Sequence, residues 1–161
     1  MRLVIAAVGK TRSGPEKTLF DDYLKRASGL GRPLGLRGPE FTEFEISRAR
    51  DRRQRQAAEG GQLMGAIAAG GYLIALDERG ENLASQAFAD LLGRVRDDGA
   101  PQLVLAIGGA DGHDGALRDR ADKLVAFGNA TWPHMLVRVM LAEQVYRAMT
   151  ILAGHPYHRD S

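Results

Sequence analysis

The chain has 161 residues, 44% of them hydrophobic and 26% charged, with no cysteine and a formal net charge of +2. That is long enough to bury a real core, and it excludes a disordered or fibrous protein, a disulfide framework and thiolate chemistry. The charge is uneven: residues 1–60 hold 13 Lys and Arg against 8 Asp and Glu, and the remainder hold 9 against 12.

Residues 2–8 form an apolar, β-branched-rich run, the pattern of a buried parallel strand. Ser13-Gly14-Pro15 opens a predicted helix to about Arg26, and the Gly- and Pro-rich segment 29–39 reads as a loop. Residues 41–46 alternate apolar and polar and predict a second strand. A helix from about Ser47 follows, closed by Gly70-Gly71. Its polar first half carries Arg48, Arg50, Arg52, Arg53 and Arg55, a cluster that suits either a polyanion or simply a solvated helix face.

Residues 72–76 predict a third strand stopped at Asp77-Glu78-Arg79-Gly80, and a helix covers about 82–96. Residues 103–107, a short helix near 115–122, a short strand at 124–127 and a last helix over about 134–152 complete the chain. The longest apolar runs are broken by charge well short of a membrane span, and the N-terminal run is too short for a signal peptide, so no membrane partner is expected and the absence of cysteine fits a cytoplasmic protein. Four histidines without cysteine argue against a structural zinc site, and no metal is expected.

Strands alternating with helices predict an α/β domain with a mainly parallel sheet flanked by helices. The last helix is apolar around most of its circumference, including Met135, Leu136, Val139, Met140, Val145 and Met149. Such a helix needs cover on more than one side, which predicts a homodimer with this helix at the interface.

Ligands of open α/β sheets sit beyond the carboxyl ends of the strands. Two loops fall there: Gly108-Gly109-Ala110-Asp111-Gly112, and Phe127-Gly128-Asn129-Ala130-Thr131-Trp132-Pro133-His134. The first is neither a dinucleotide fingerprint nor a P-loop, and reads as a close-approach site for a ligand or as a plain turn. The second could hold an adenine by main-chain hydrogen bonds and apolar cover, although a lone tryptophan is more commonly core. His113 and His134 flank these loops, each in a position where a turn or cap role is the commoner one. In the last helix Glu143 and Arg147 have ion-pair spacing, and the apolar-flanked Arg138 could orient a substrate. The terminal His155-Pro156-Tyr157-His158-Arg159 cannot be helical and gathers two imidazoles, a phenol and a guanidinium; it reads equally as part of a site or as a polar tail.

Taken together, Leu76-Asp77, Ile107-Gly108-Gly109-x-x-Gly112, Thr131-x-Pro133-His134-x-Leu136-Val137-Arg138, Glu143-x-x-Tyr146-Arg147-Ala148 and the terminal His155-Pro156-Tyr157-His158-Arg159 resemble the bacterial large-subunit rRNA methyltransferases that act on N3 of a pseudouridine (the family lettered H), the smallest branch of the SPOUT methyltransferases. The likeness spans essentially the whole chain and departs from the family in reading Ala110-Asp111 where relatives often have Pro-Glu.

The resemblance implies one SPOUT-like domain over residues 1–161, with a C-terminal trefoil knot in a cofactor-binding part at about 72–155 and a catalytic tail at 155–159. It implies S-adenosylmethionine as cofactor, bound by Leu76, Gly109, Phe127, Gly128, Asn129, Ala130, Thr131 and Trp132. The reaction needs no metal, because the sulfonium is already electrophilic. It further implies a homodimer acting on a pseudouridine in the helix-69 loop of 23S rRNA within the assembled ribosome. His158 is then the candidate proton acceptor, Arg159 the group that meets phosphate or developing charge, and Tyr157 the ring that stacks on the base. His134, Arg138, Glu143, Arg147 and His155 would support the substrate side. A non-enzymatic ribosome-binding factor is the alternative.

Overall fold

The computed structural model describes residues 1–154. Its five strands are β1 (Arg2–Val8), β2 (Arg37–Phe44), β3 (Tyr72–Asn82), β4 (Gln102–Ile107) and β5 (Lys123–Ala126). They form one parallel sheet in the order β2-β1-β4-β3-β5. The helices are α1 (Pro15–Gly31), α2 (Arg52–Gly65), α3 (Ser85–Asp97), α4 (Gly115–Arg120) and α5 (His134–Leu152).

Two apolar layers explain why the strands read as unbroken hydrophobic runs. Leu3, Ile5 and Ala7 of β1, with Leu103, Leu105 and Ile107 of β4, face α1, α3 and α5. The alternating residues Val4, Ala6, Val8, Val104 and Ala106 face Leu63 of α2 and Leu117 of α4. The period of two along each strand delivers one set to each side.

The segment expected to loop over 29–39 is instead the end of α1, a single 3-10 turn (Arg32–Leu34) and the start of β2. Gly31 lies so close to the Leu36 carbonyl that a Cβ would come to 2.6 Å of it, so close packing overrides the weak helix propensity of glycine. Gly38 and Pro39 are tolerated within β2 because it is an edge strand with a register irregularity there. α2 begins at Arg52, later than expected, because Asp51 caps it by accepting a hydrogen bond from the Gln54 N–H at 3.0 Å. It ends at Gly65 rather than at Gly70-Gly71.

β3 runs on past Leu76, its expected end. Leu76 and Glu81 both pair with Val125, so residues 77–80 form a bulge between them. Gly80 rests on the Val125 backbone, where a Cβ would approach to 2.5 Å.

α5 packs against both α1 and α3 on the face of the sheet that holds the larger core. Its wide apolar circumference is therefore met largely within the chain, and Leu136 is its one large apolar side chain that is more than a third exposed. No helix among the described residues is long and apolar enough to cross a membrane.

Candidate functional site

A cleft of about 1110 Å³ opens where β3, β4 and β5 end. The loops after β4 and β5 and the bulge of β3 form its walls, with the first turn of α2 at its rim. Leu76, Gly109 and all of Phe127 through Trp132 line it, together with His134 and Val137 from the start of α5. The eight positions singled out for a cofactor are thus brought to one place.

The loop after β4 is built as a tight turn. The Gly112 N–H donates to the Gly109 carbonyl at 3.0 Å, and Gly112 takes φ +76°. α2 holds the turn from outside. Arg55 donates to both carboxylate oxygens of Asp111, Nε at 2.6 Å and Nη2 at 3.2 Å. The Gln56 amide and the Arg52 guanidinium donate to the Asp111 carbonyl at 2.7 Å and 3.3 Å. Hydrogen bonding to Arg55 holds the Asp111 carboxyl below its usual range, against a smaller opposing effect of burial. The arginine cluster is thus divided, with Arg55 serving the interior of the fold.

Gly109 also packs against α2. A Cβ there would lie 2.4 Å from Oε2 of Glu59, a carboxylate only 3% exposed. The other oxygen of Glu59 accepts from the Ser47 N–H at 3.0 Å, tying down the connection from β2 to α2. Oε2 has no hydrogen-bond partner among the described residues.

The loop after β5 closes on itself and on β3. The indole Nε1 of Trp132 donates to the Phe127 carbonyl at 2.8 Å, and the Gly128 N–H donates to the Asn82 side chain at 2.6 Å. Trp132 is 43% exposed, so it is not the core residue that a lone tryptophan usually is. Gly128 takes φ +83° with open space where a Cβ would stand.

His134 opens α5 beside the main chain of Gly108 and Gly109. Burial pushes its imidazole below the ordinary histidine value, although those two backbone groups pull the other way. His113 is 3% exposed and neither ring nitrogen has a hydrogen-bond partner at good geometry among the described residues. Burial is the main cause of its lowered pKa, opposed by Asp77. Arg118 donates to the His113 carbonyl and lies 3.8 Å from Asp77.

Arg138 does not reach the cleft. It is 2% exposed and clamps the ends of β1 and β2. Its Nη2 donates to the Val8 and Gly9 carbonyls at 2.9 Å and 2.7 Å, and its Nη1 to Thr11 Oγ1 and Glu43 Oε1 at 2.6 Å and 2.8 Å. Its guanidinium is engaged by these groups at the ends of β1 and β2, which sets Arg138 apart from the residues that line the cleft. Glu143 and Arg147 make the expected ion pair at 2.6 Å, with the Gln144 amide donating to Glu143 and Ser85 donating to Gln144. They too are absent from the cleft lining. His155, Tyr157, His158 and Arg159 lie outside the described residues.

Sequence reading missed the cleft residues Asp77, Glu78, Arg79 and Arg118. All three were read as a strand stop, Asp77 also as part of the Leu76-Asp77 motif; the bulge that lifts them into the wall depends on pairing with β5. Among the described residues no three His, Asp or Glu side chains cluster as metal ligands would.

The family profile described as "Predicted SPOUT methyltransferase" matches residues 1–158. A ribosomal RNA large subunit methyltransferase H from Nitrobacter hamburgensis is 54% identical over 159 residues, 99% of each chain. The protein of the same name from Methylocella silvestris is 51% identical over 160 residues, spanning 99% of this chain and 100% of the relative. Among solved structures, the SpoU methyltransferase AviRb from Streptomyces viridochromogenes, in complex with the cofactor AdoMet, aligns with 91% of this chain and 59% of its own length. The two chains are 11% identical there and superpose with a TM-score of 0.39.

Proposed function

The chain belongs to the SPOUT methyltransferase family, in the branch of the ribosomal RNA large subunit methyltransferases H, and on that basis we propose that it transfers a methyl group from S-adenosylmethionine to N3 of a pseudouridine in the helix-69 loop of 23S rRNA. It does so on the assembled ribosome, in the cytoplasm, as a homodimer whose C-terminal part, about 72–155, carries a trefoil knot and whose tail, 155–159, supplies the catalytic groups. One observation carries the reading: identity of about half over 99% of the chain with relatives named for methylating large-subunit rRNA. The N3 target is what the C-terminal motifs imply, and the exposed Leu136 and Trp132 near the start of α5 support a second subunit docking there.

The residues of the cleft fit S-adenosylmethionine. Leu76, Phe127, Val137 and the exposed indole of Trp132 offer apolar and aromatic cover for an adenine. Gly128, with nothing where its Cβ would be, allows a ligand to come against the main chain. When bound, this cofactor supplies a methyl group on a sulfonium that is already a strong electrophile.

The protein's own work is alignment and proton removal. Leu76, Gly109 and 127–132 hold the donor side. The N3 of pseudouridine carries an imide proton, and its lone pair becomes usable as that proton leaves. His158 accepts it on a neutral imidazole nitrogen. Arg159 meets phosphate or the charge growing on the uracil oxygens, and Tyr157 stacks on the base. His134, kept uncharged near neutral pH by burial, braces Gly108 and Gly109. Glu143 and Arg147 brace α5.

The test is to incubate the protein with labelled S-adenosylmethionine and ribosomes from a strain lacking the modification, then map the methyl group. The expected result is a single label on N3 of the helix-69 pseudouridine. His158→Ala should abolish transfer while leaving cofactor binding intact. Ribosome binding with no label in 23S rRNA would make the protein a binding factor instead.

A further inference from the structure

The cleft is larger than the roughly 300–1,000 Å³ typical of small-molecule sites, and part of its wall is cationic. Its charged lining residues sort into engaged and disengaged groups. Asp111 is matched by Arg55, and Arg118 stands by Asp77. That leaves Arg52, Arg53 and Arg79 against the single carboxylate of Glu78. Arg52 keeps only a 3.3 Å hydrogen bond and a 3.8 Å approach to Asp111, with its side chain 68% exposed. The exposed side chains of Arg53 and Arg79 make no ion pair or hydrogen bond among the described residues.

Stability does not account for these positions. Arg52 and Arg53 occupy the first turn of α2, where the helix dipole favours anions and disfavours cations; the one carboxylate at this end, the N-cap Asp51, is engaged by the Gln54 N–H, and the first turn itself holds no acidic residue. Arg79 is lifted out on the β3 bulge, away from any core. Guanidinium groups beside free helix N–H groups suit a phosphate. The cleft lacks a P-loop and its lysine, so a nucleoside triphosphate is not the natural match.

We propose that Arg52, Arg53 and Arg79 form a phosphate track that seats the RNA backbone at the mouth of the cleft, so that the methyl-accepting base enters between the β3 bulge and the first turn of α2. This rests on the RNA methyltransferase reading above and adds which surface of the chain meets the RNA. It also divides the arginine cluster by role: Arg55 shapes the loop after β4, while Arg52 and Arg53 face the substrate.

Two separate measurements test it on the full chain. Binding to purified large ribosomal subunits is measured across a salt series for the wild type, Arg53→Ala, Arg79→Ala, the double variant and the control Arg37→Ala, which lies at the other end of the sheet. S-adenosylmethionine affinity is measured on the same proteins, which also shows that they are folded. Each cleft substitution should weaken subunit binding about fivefold or more and reduce the slope of log affinity against log salt by about 0.7–0.9. The control should not, and cofactor affinity should change less than about twofold. Unchanged subunit binding in the double variant, an equal loss in Arg37→Ala, or a loss of cofactor affinity in place of subunit affinity would each overturn the proposal. Binding is read without turnover, so it decides this point even where the methyl-mapping experiment fails.

Discussion

Arg55 holds Asp111 with two parallel hydrogen bonds, and through that one residue α2 fixes the turn that ends β4. Asp111 has no part in the cofactor assignment, yet Gly109 two residues earlier does. Arg55→Ala and Asp111→Asn should therefore each weaken S-adenosylmethionine binding several-fold, and Arg55→Ala should lower the melting temperature more, because its Nη1 also donates to the Ala49 and Arg50 carbonyls at 3.2 Å and 2.8 Å. In cofactor affinity the double variant should be no worse than Arg55→Ala alone, because Asp111→Asn removes a link that Arg55→Ala has already broken. Additive losses in a titration of the four proteins would show that the two side chains act independently.

Gly109 faces a harder constraint. A methyl group there would sit 2.4 Å from Glu59 Oε2 and 3.3 Å from Val8. Glu59 cannot easily withdraw, since it is buried and its other oxygen holds the Ser47 N–H. Gly109→Ala should cost about 1–3 kcal/mol of stability by overpacking and should displace the cleft wall, lowering cofactor affinity. Glu59→Ala in the same chain should cost less than it does alone, because it removes the clash. Denaturant midpoints for the two singles and the double give the coupling, and strict additivity would mean that the collision is relieved elsewhere.

The parts of this fold that were legible in the sequence are those governed by local pattern. The buried strands around Ile5, Ile74 and Leu105 read as apolar runs, and α5 reads correctly from His134 to Leu152. The two glycine-bearing loops could be placed at strand ends, which is why Gly109 and Phe127 through Trp132 meet in one cleft. What the sequence concealed depends on contacts between distant segments. Gly38 and Pro39 look like loop residues until β1 pairs with Arg37 and Glu40 on either side of them and carries the strand across the irregularity. The bulge carrying Arg79 exists only because Leu76 and Glu81 share Val125. Arg138 looked available because its partners, Val8, Gly9, Thr11 and Glu43, are more than 90 residues away.

Trp132 is the chain's one tryptophan, which makes the cleft wall visible in solution. Its indole is 43% exposed and tethered to the Phe127 carbonyl. Binding of S-adenosylmethionine should change the emission of the native protein with a saturable dependence. Trp132→Ala should weaken binding by about tenfold, the scale of a lost aromatic contact, and Trp132→Phe by less. Melting temperatures should hardly move, since a partly exposed side chain contributes little to the core. Unaltered affinity in Trp132→Ala, measured by calorimetry, would remove the indole from the site.

His113 gives the fold a defined acid sensitivity. Its ring is buried and its pKa is lowered chiefly by that burial, so the folded protein resists protonating it. An unfolded chain takes up that proton near the ordinary value of about 6.5. The unfolded state therefore binds more protons as the pH falls below that point, and stability declines until the folded-state pKa is reached. The slope from this one group is at most about 1.4 kcal/mol per pH unit. His134, shifted the same way, adds a second contribution over a similar range. Above about pH 7 both imidazoles are neutral in either state and the curve should be flat from this cause. His113→Leu gives up no well-aligned hydrogen bond from the ring nitrogens, only a poorly aligned one with the Leu76 backbone, so its stability at pH 7.5 should be close to wild type. Below pH 6.5 it should fall less steeply, by up to one proton's worth of slope. Denaturant unfolding at half-unit steps from pH 5 to 8 measures both curves, and parallel curves would mean that His113 protonates as readily inside the fold as outside it.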